Sequence, residues 1–279
     1  MTSKMTVSHA EPLCVTEHSP AYWTATFDDP PLNLFGPETH AALRLLLDRI
    51  EASDELRVVV FDSAVPDFFL AHFDIARGDE VPDIPGAAPI SAWPETMARL
   101  VAAPVISIAA IRGRARGQGS EFALACDLRF AGDKAVLGQP EVGVGVVPGG
   151  GSVQWLPALV GRSRALEIIV GADDFEAATA ERYGWINRVV PDAELDAFAD
   201  AFARRVASFD RAPIAAAKAA INIASVLPVS DQITDNQQTF QHLAATPQTR
   251  ARLSLLFERG LQQPGEVERD FGRHLAGLG

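Results

Sequence analysis

Short β-branched runs alternating with helical segments fill this chain as far as Val190, and from Glu194 onward only helical spacing remains. That order is the strongest constraint on its fold. Residues 57–61 and 105–111 are apolar runs of strand length, and residues 7–27 predict two early strands that close on Asp28-Asp29-Pro30-Pro31. Pro37 opens a helix in which Leu43, Leu46, Leu47 and Ile50 recur at helical spacing. Short strands are expected at 128–130, 135–137 and 186–190, and helices at 95–101, 120–126, 152–160, 163–170 and 176–183. Residues 80–94, rich in Pro, Gly and acid, predict a surface segment. Strands punctuated by helices imply an α/β chain built on a parallel sheet. The helical remainder is expected to break at Pro213, Pro228, Pro247 and Pro264. A soft boundary then separates residues 1–210, the mixed core, from residues 211–279. The latter have few apolar residues per helix and are expected to pack on a neighbouring subunit as well.

Charge and cysteine content narrow the function classes. With 24 Lys and Arg against 36 Asp and Glu, the chain carries −12, which argues against a general nucleic-acid binder, because a polyanion needs a basic face. Small anionic molecules respond to local fields and stay open. Two cysteines, Cys14 and Cys126, cannot build a disulfide framework or a four-cysteine zinc site. At 279 residues neither staple is needed, since a chain near this size buries about 75% of its unfolded surface. The polar start lacks a signal-peptide core, and no apolar run reaches the length of about 18 residues that a membrane span needs. A cytoplasmic protein without membrane contact is expected.

Several familiar motifs fail. After Gly117-Gln118-Gly119 the third glycine of a dinucleotide turn would fall on Phe122. No phosphate loop or nucleophile elbow occurs, and the histidines have no metal-like spacing. Two glycine-rich turns remain, each with one glutamate. Glu121 follows Gly117-Gln118-Gly119-Ser120 and precedes an apolar run; it can equally be a first-turn helix acid or a functional one. Glu141, in Gly138-Gln139-Pro140-Glu141, is the lone charge between Lys134 and Arg162, and its apolar neighbours favour function over a solvated loop acid. Two desolvated carboxyls suit general acid–base work, and glycine turns supply free N–H groups for a developing oxyanion.

These stretches, with Val147-Pro148-Gly149-Gly150-Gly151-Ser152, resemble the enoyl-CoA hydratase/isomerase (crotonase) family. Phe69-Leu70-Ala71-His72-Phe73-Asp74 is similar to that family's F-x-A-G-A-D segment, Asn33 to its early L-N element, and residues 184–190 to a later strand. The resemblance implies a crotonase-like spiral of ββα units with a C-terminal helical trimerisation region, as a homotrimer or a dimer of trimers. It implies an acyl-CoA substrate and no metal or redox cofactor. Carried onto this sequence, it implies oxyanion donors at the Phe73 and Gln118 N–H groups and catalytic glutamates at Glu121 and Glu141. It also implies a water contact at the Gly149 backbone, and CoA contacts along Ala71, His72, Phe73, Asp74, Ile75 and Ala76.

The expected reaction is syn hydration of a 2-enoyl-CoA, that of a hydro-lyase. Isomerisation of an enoyl-CoA on the same site, and a non-catalytic acyl-CoA-binding oligomer, are the competing expectations. This sequence departs from the family at five places: His72 replaces a glycine, Phe73 a small residue, Gln118 a glycine, Asp67 a frequent lysine and Trp155 a frequent arginine. Glutamine at 118 would be strained if the position needs φ > 0. His72 is expected to pack rather than to replace the charge of that lysine. Trp93 and Met97 are candidate liners of the acyl pocket. The negative field calls for local arginines, and Arg112, Arg114 and Arg116 flank the first glycine turn.

Overall fold

A computed structural model describes residues 11–80, 92–225 and 230–278. Most of the 80–94 segment, the start of the early-strand region and Pro228 lie outside the described residues. Two sheets organise the rest. The larger runs β1-β2-β3-β5-β7-β10, made of β1 (Leu13–Ser19), β2 (Tyr22–Phe27), β3 (Val58–Ser63), β5 (Ile106–Ile111), β7 (Leu128–Gly132) and β10 (Arg188–Val190). Only β1 and β2 pair antiparallel; the other pairs in that sheet are parallel. The smaller sheet runs β4-β6-β8-β9, made of β4 (Phe68–Leu70), β6 (Arg114–Arg116), β8 (Val136–Gly138) and β9 (Asp174–Glu176).

The connectivity repeats. β3, β4 and α2 (Ala92–Ala102) form one turn; β5, β6 and α3 (Gln118–Ala125) the next; β7, β8 and α4 (Glu141–Val144) a third. Each turn gives one strand to each sheet and then a helix, a spiral of ββα units. Side-chain alternation sets the two faces of the larger sheet. Val59 and Phe61 point into the main core with Leu43, Leu47 and Ile50 of α1 (Pro37–Ala52). Val58 and Val60 point the other way, onto Leu195, Ala199 and Ala203 of α8 (Leu195–Ala207).

Several expectations need correction. The arginine-rich stretch at 114–116 and residues 174–176 are strands, because edge pairing defines them where side-chain pattern does not. The helix expected from Ser120 starts at Gln118. The second glycine loop contains a helical turn, α4. Pro213 does not break a helix: it lies in the first turn of α9 (Arg211–Ala224), where its missing N–H costs nothing. Helices α5 (Ser152–Val160), α6 (Arg162–Gly171) and α7 (Ala177–Tyr183) lead to β10. After α8 and α9 come α10 (Ser230–Ala244), α11 (Pro247–Arg259), α12 (Glu266–Arg269) and α13 (Phe271–Leu275).

Two buried polar residues hold the scaffold around α3. Arg129 donates to the carbonyls of Ala123 (3.2 Å), Cys126 (2.7 Å) and Trp185 (2.9 Å), a cation at the negative end of the helix. Asn33 sits at φ 53°. Its amide nitrogen lies 2.7 Å from Ser63 Oγ, 3.2 Å from Phe69 O and 3.3 Å from Phe27 O, and its Oδ1 accepts from Asp29 N at 2.6 Å. One side chain thus ties the entry of β4 to the end of β2. Asn33→Ala is expected to cost about 3 kcal/mol, from orphaned buried carbonyls and an alanine held at positive φ. Urea denaturation of the variant measures that loss.

Candidate active site

The first glycine turn places α3. Gly117 takes φ 48° and donates to Gly138 O (3.0 Å), which joins the end of β6 to β8. The positive φ falls on Gly117 and not on Gln118, so glutamine at 118 is unstrained. Gln118 opens α3, so its N–H has no intrahelical acceptor. Gly119 lets the helix meet β4: a Cβ there would stand 2.2 Å from Leu70 O.

Glu121 follows in the first turn and is 3% exposed. Its Oε1 accepts from Gly150 N (2.9 Å), Ser152 N (3.3 Å) and Ser152 Oγ (3.1 Å). The acid therefore reaches across to the Gly149-Gly150-Gly151 turn rather than serving its own helix. Gly150 is required there, since a Cβ would lie 2.1 Å from Glu121 Oε2 and 2.3 Å from Trp93 Nε1. Trp93 donates to Gly150 O (3.2 Å) and stacks edge-on against Phe35. Ser152 has one hydroxyl hydrogen but lies against both Glu121 Oε1 and Gln139 Oε1 (3.2 Å), while Gln139 Nε2 is buried without a partner among the described residues. Rotating that amide half a turn satisfies the triad: Gln139 donates to Ser152, and Ser152 to Glu121.

Glu141 starts α4 and points back at the first turn. A Cβ on Gly117 would be 2.8 Å from Glu141 Oε1. Its Oε2 is buried with no partner among the described residues. Burial raises the carboxyl of Glu121, opposed by the donors from Ser152 and Gly150. Burial raises that of Glu141 well above the ordinary range, and the neighbouring charge of Glu121 adds to it with no comparable set of donors. Both carboxyls are thus raised, and Glu141, with fewer donors and the charge of Glu121 beside it, is raised the further.

The segment at residues 69–76, expected to carry an oxyanion donor, runs beside them. Phe73 bridges Phe35 in parallel: Phe35 N donates to His72 O (2.8 Å) and Asp74 N to Phe35 O (3.1 Å). In extended backbone this alternation turns the Phe73 N–H away from Phe35. Ala71, His72 and Asp74 are buried, Phe73 and Ile75 half-buried, and Ala76 exposed. Ala76 N donates to Gln262 Oε1 (2.9 Å), and Gln262 Nε2 to Asp74 Oδ1 (2.7 Å). His72 is buried as expected of a packing residue, yet its ring contacts Glu268.

The arginines flanking the first turn have other tasks. Arg112 binds Asp192 and Asp196, Arg114 binds Arg269 O, and Arg116 binds Asp174 and Glu268 O. Trp93 is at the site, while Met97 is fully buried in the main core. Gly149 lies under α10: a Cβ there would be 3.2 Å from Phe240, and Asn236 donates to Pro148 O. Ser152, Gln139 and Phe240 escaped the reading of the sequence. The first two sit inside the quoted motifs, and Phe240 carries no local signal. Among the described residues no group of three or more His, Cys, Asp or Glu could hold a metal, and no helix is long and apolar enough to cross a membrane.

Comparison with known proteins bears on the fold and the family. The profile of the enoyl-CoA hydratase/isomerase family matches residues 19–263. A short-chain-enoyl-CoA hydratase of Clostridium acetobutylicum is 30% identical over 228 residues, 82% of this chain and 87% of that protein. A mitochondrial protein of Dictyostelium discoideum, assigned as an enoyl-CoA hydratase, is 35% identical over 152 residues. That match spans 54% of this chain and about half (55%) of the relative's length. A Streptomyces avermitilis crystal structure, also assigned as an enoyl-CoA hydratase, superposes with a TM-score of 0.91 at 42% identity, covering 96% of this chain and 98% of that one. The spiral is thus the crotonase fold, and the chain belongs to the enoyl-CoA hydratase/isomerase family.

Proposed function

We propose that this protein hydrates a 2-enoyl-CoA to a 3-hydroxyacyl-CoA. The observation that carries the reading is the unequal carboxyl pair: Glu121 held by three donors, and Glu141 half-buried beside it with a buried Oε2 that has no partner among the described residues. The thioester oxygen would accept from the Phe73 and Gln118 N–H groups, an arrangement in which one donor to a developing oxyanion is worth about 3 kcal/mol. The π bond is thereby polarised. Glu121 takes a proton from water as its oxygen bonds to Cβ, and Glu141 delivers its proton to Cα on the same face. One π bond and one water O–H break; one C–O and one C–H form. Proton exchange between the two carboxyls and solvent resets the pair. The reaction draws on no metal or redox group.

Isomerisation needs a single base and would leave the three donors on Glu121 without a purpose, which favours hydration. The exposed apolar residues Ile221 and Ile223 of α9 support assembly into a trimer or a dimer of trimers. The test is turnover of a panel of 2-enoyl-CoAs, from short to aromatic chains, followed by loss of the conjugated thioester and by product analysis. A 3-hydroxyacyl-CoA is expected; wild-type protein inert toward the whole panel would overturn the reading.

A further inference from the structure

The His72 ring lies between two acceptors. Nδ1 is 2.7 Å from Phe73 O, and Nε2 is 3.0 Å and 3.1 Å from the two oxygens of Glu268. A carbonyl can only accept, so Nδ1 donates to it. Glu268 also accepts from Gln262 N (2.7 Å), and its neighbours hold its carboxyl low despite burial, so it is a carboxylate and Nε2 donates as well. The ring is an imidazolium, 3% exposed, paired with a carboxylate that has no exposure at all.

Such a pair is a poor source of stability, because desolvating both charges consumes much of their attraction; apolar residues of the same volume often do better. What the pair provides is direction. The His72–Phe73 peptide carries the Phe73 N–H at one end and is held at the other by Phe35 N. The imidazolium fixes the next carbonyl, Phe73 O. Rotation of the donor peptide is therefore restrained on both sides. The anchor is firm in turn: Arg116 Nη1 donates to Glu268 O (2.6 Å) while its other nitrogens grip Asp174 (2.6 Å). Gln262, at φ 61°, adds the bonds to Asp74 and Ala76, so one short stretch of the carboxyl-terminal segment clasps residues 72–76. The imidazolium also brings positive charge close to the site, with His72 Cβ only 3.8 Å from where a Gly117 Cβ would be.

We propose that Glu268 and His72 are positioning residues for the thioester oxygen: Glu268, through the imidazolium, holds the peptide that presents the Phe73 N–H. The proposal rests on the hydratase reading given above. Its test is Glu268→Gln in the full chain, which keeps the shape and the acceptor for Gln262 N but removes the charge. His72→Gln, neutral and of similar reach, is the second variant. Two quantities are measured with each folded variant: kcat and KM for a 2-enoyl-CoA, and the fraction of bound acetoacetyl-CoA held as its enolate, read by ultraviolet difference spectra. A roughly tenfold lower kcat is expected at unchanged KM, with the enolate fraction falling in parallel. A merely structural role would lower the melting temperature and leave the enolate fraction of folded protein unchanged. Wild-type kcat and enolate fraction in either folded variant, or a loss confined to KM or to melting temperature, would overturn the proposal. Wild-type protein that neither hydrates nor enolises would instead fail the hydratase reading itself.

Discussion

Glu141→Gln is expected to abolish most hydration and at the same time to raise the melting temperature. The loss follows from the proposed role: removing a general acid costs about 10²–10⁴-fold in rate. The gain follows from burial. Desolvation, reinforced by the charge of Glu121, raises the Glu141 carboxyl above its value in the unfolded chain. A raised carboxyl makes the native state bind the proton more tightly than the unfolded state does. Its contribution to stability is therefore fully present below the unfolded value, about 4.3, and is lost as pH climbs toward the folded value. Glutamine has no such dependence. The variant should melt higher than wild type at about pH 8, and the difference should vanish near pH 4. Thermal melts across that range, with rates on the same preparations, measure both effects. Glu121→Gln makes the useful contrast: hydration should fall by a similar factor, while any isomerisation carried by Glu141 persists.

What the sequence discloses here follows from the range of each interaction. The ββα alternation is legible because strands such as β3 and β5 carry runs of apolar residues, and α1 carries a clean helical stripe. Three-residue strands such as β6 and β9 are not, since Arg-Ala-Arg and Asp-Phe-Glu become strands only through the partners they meet. Glu121 and Glu141 stand out because a charge in apolar sequence is conspicuous. Arg116 and Arg129 are buried as well; Arg116, one of three arginines between 112 and 116, predicts an exposed side chain, whereas Arg129 stands in apolar sequence as the glutamates do. Their partners, Asp174 and the carbonyl of Trp185, lie 58 and 56 positions away. The pairing of His72 with Glu268 spans 196 positions, so no local pattern could have exposed it. The resemblance supplied the position of the proposed oxyanion segment but said nothing of the clasp, because His72 stands where the family has glycine.

The largest purely geometric effect is expected from Gly119→Ala. The added Cβ would fall 2.2 Å from Leu70 O, 2.7 Å from Leu70 Cβ and 3.0 Å from Leu70 C. Carbon contacts settle near 3.5–4.0 Å, so α3 and β4 must separate by about 1 Å. Two of the three atoms are backbone, and neither can swing aside as the tip of a side chain does. Moving α3 moves the Gln118 N–H and the Glu121 carboxyl together, while β4 leads within three residues to the Phe73 N–H. The substitution thus pulls apart the two proposed oxyanion donors without touching either. A displacement of that size in a positioned site costs about 10²-fold, and overpacking adds about 1–3 kcal/mol of instability. Gly171→Ala is the control: it lies at the end of α6 with nothing within 4 Å of the new Cβ, so it should leave both rate and melting temperature near wild type. Comparing kcat/KM and melting temperature for the two variants separates the cost of a methyl group in general from its cost at the contact of α3 with β4. Equal behaviour would mean that this contact does not set the distance between the donors.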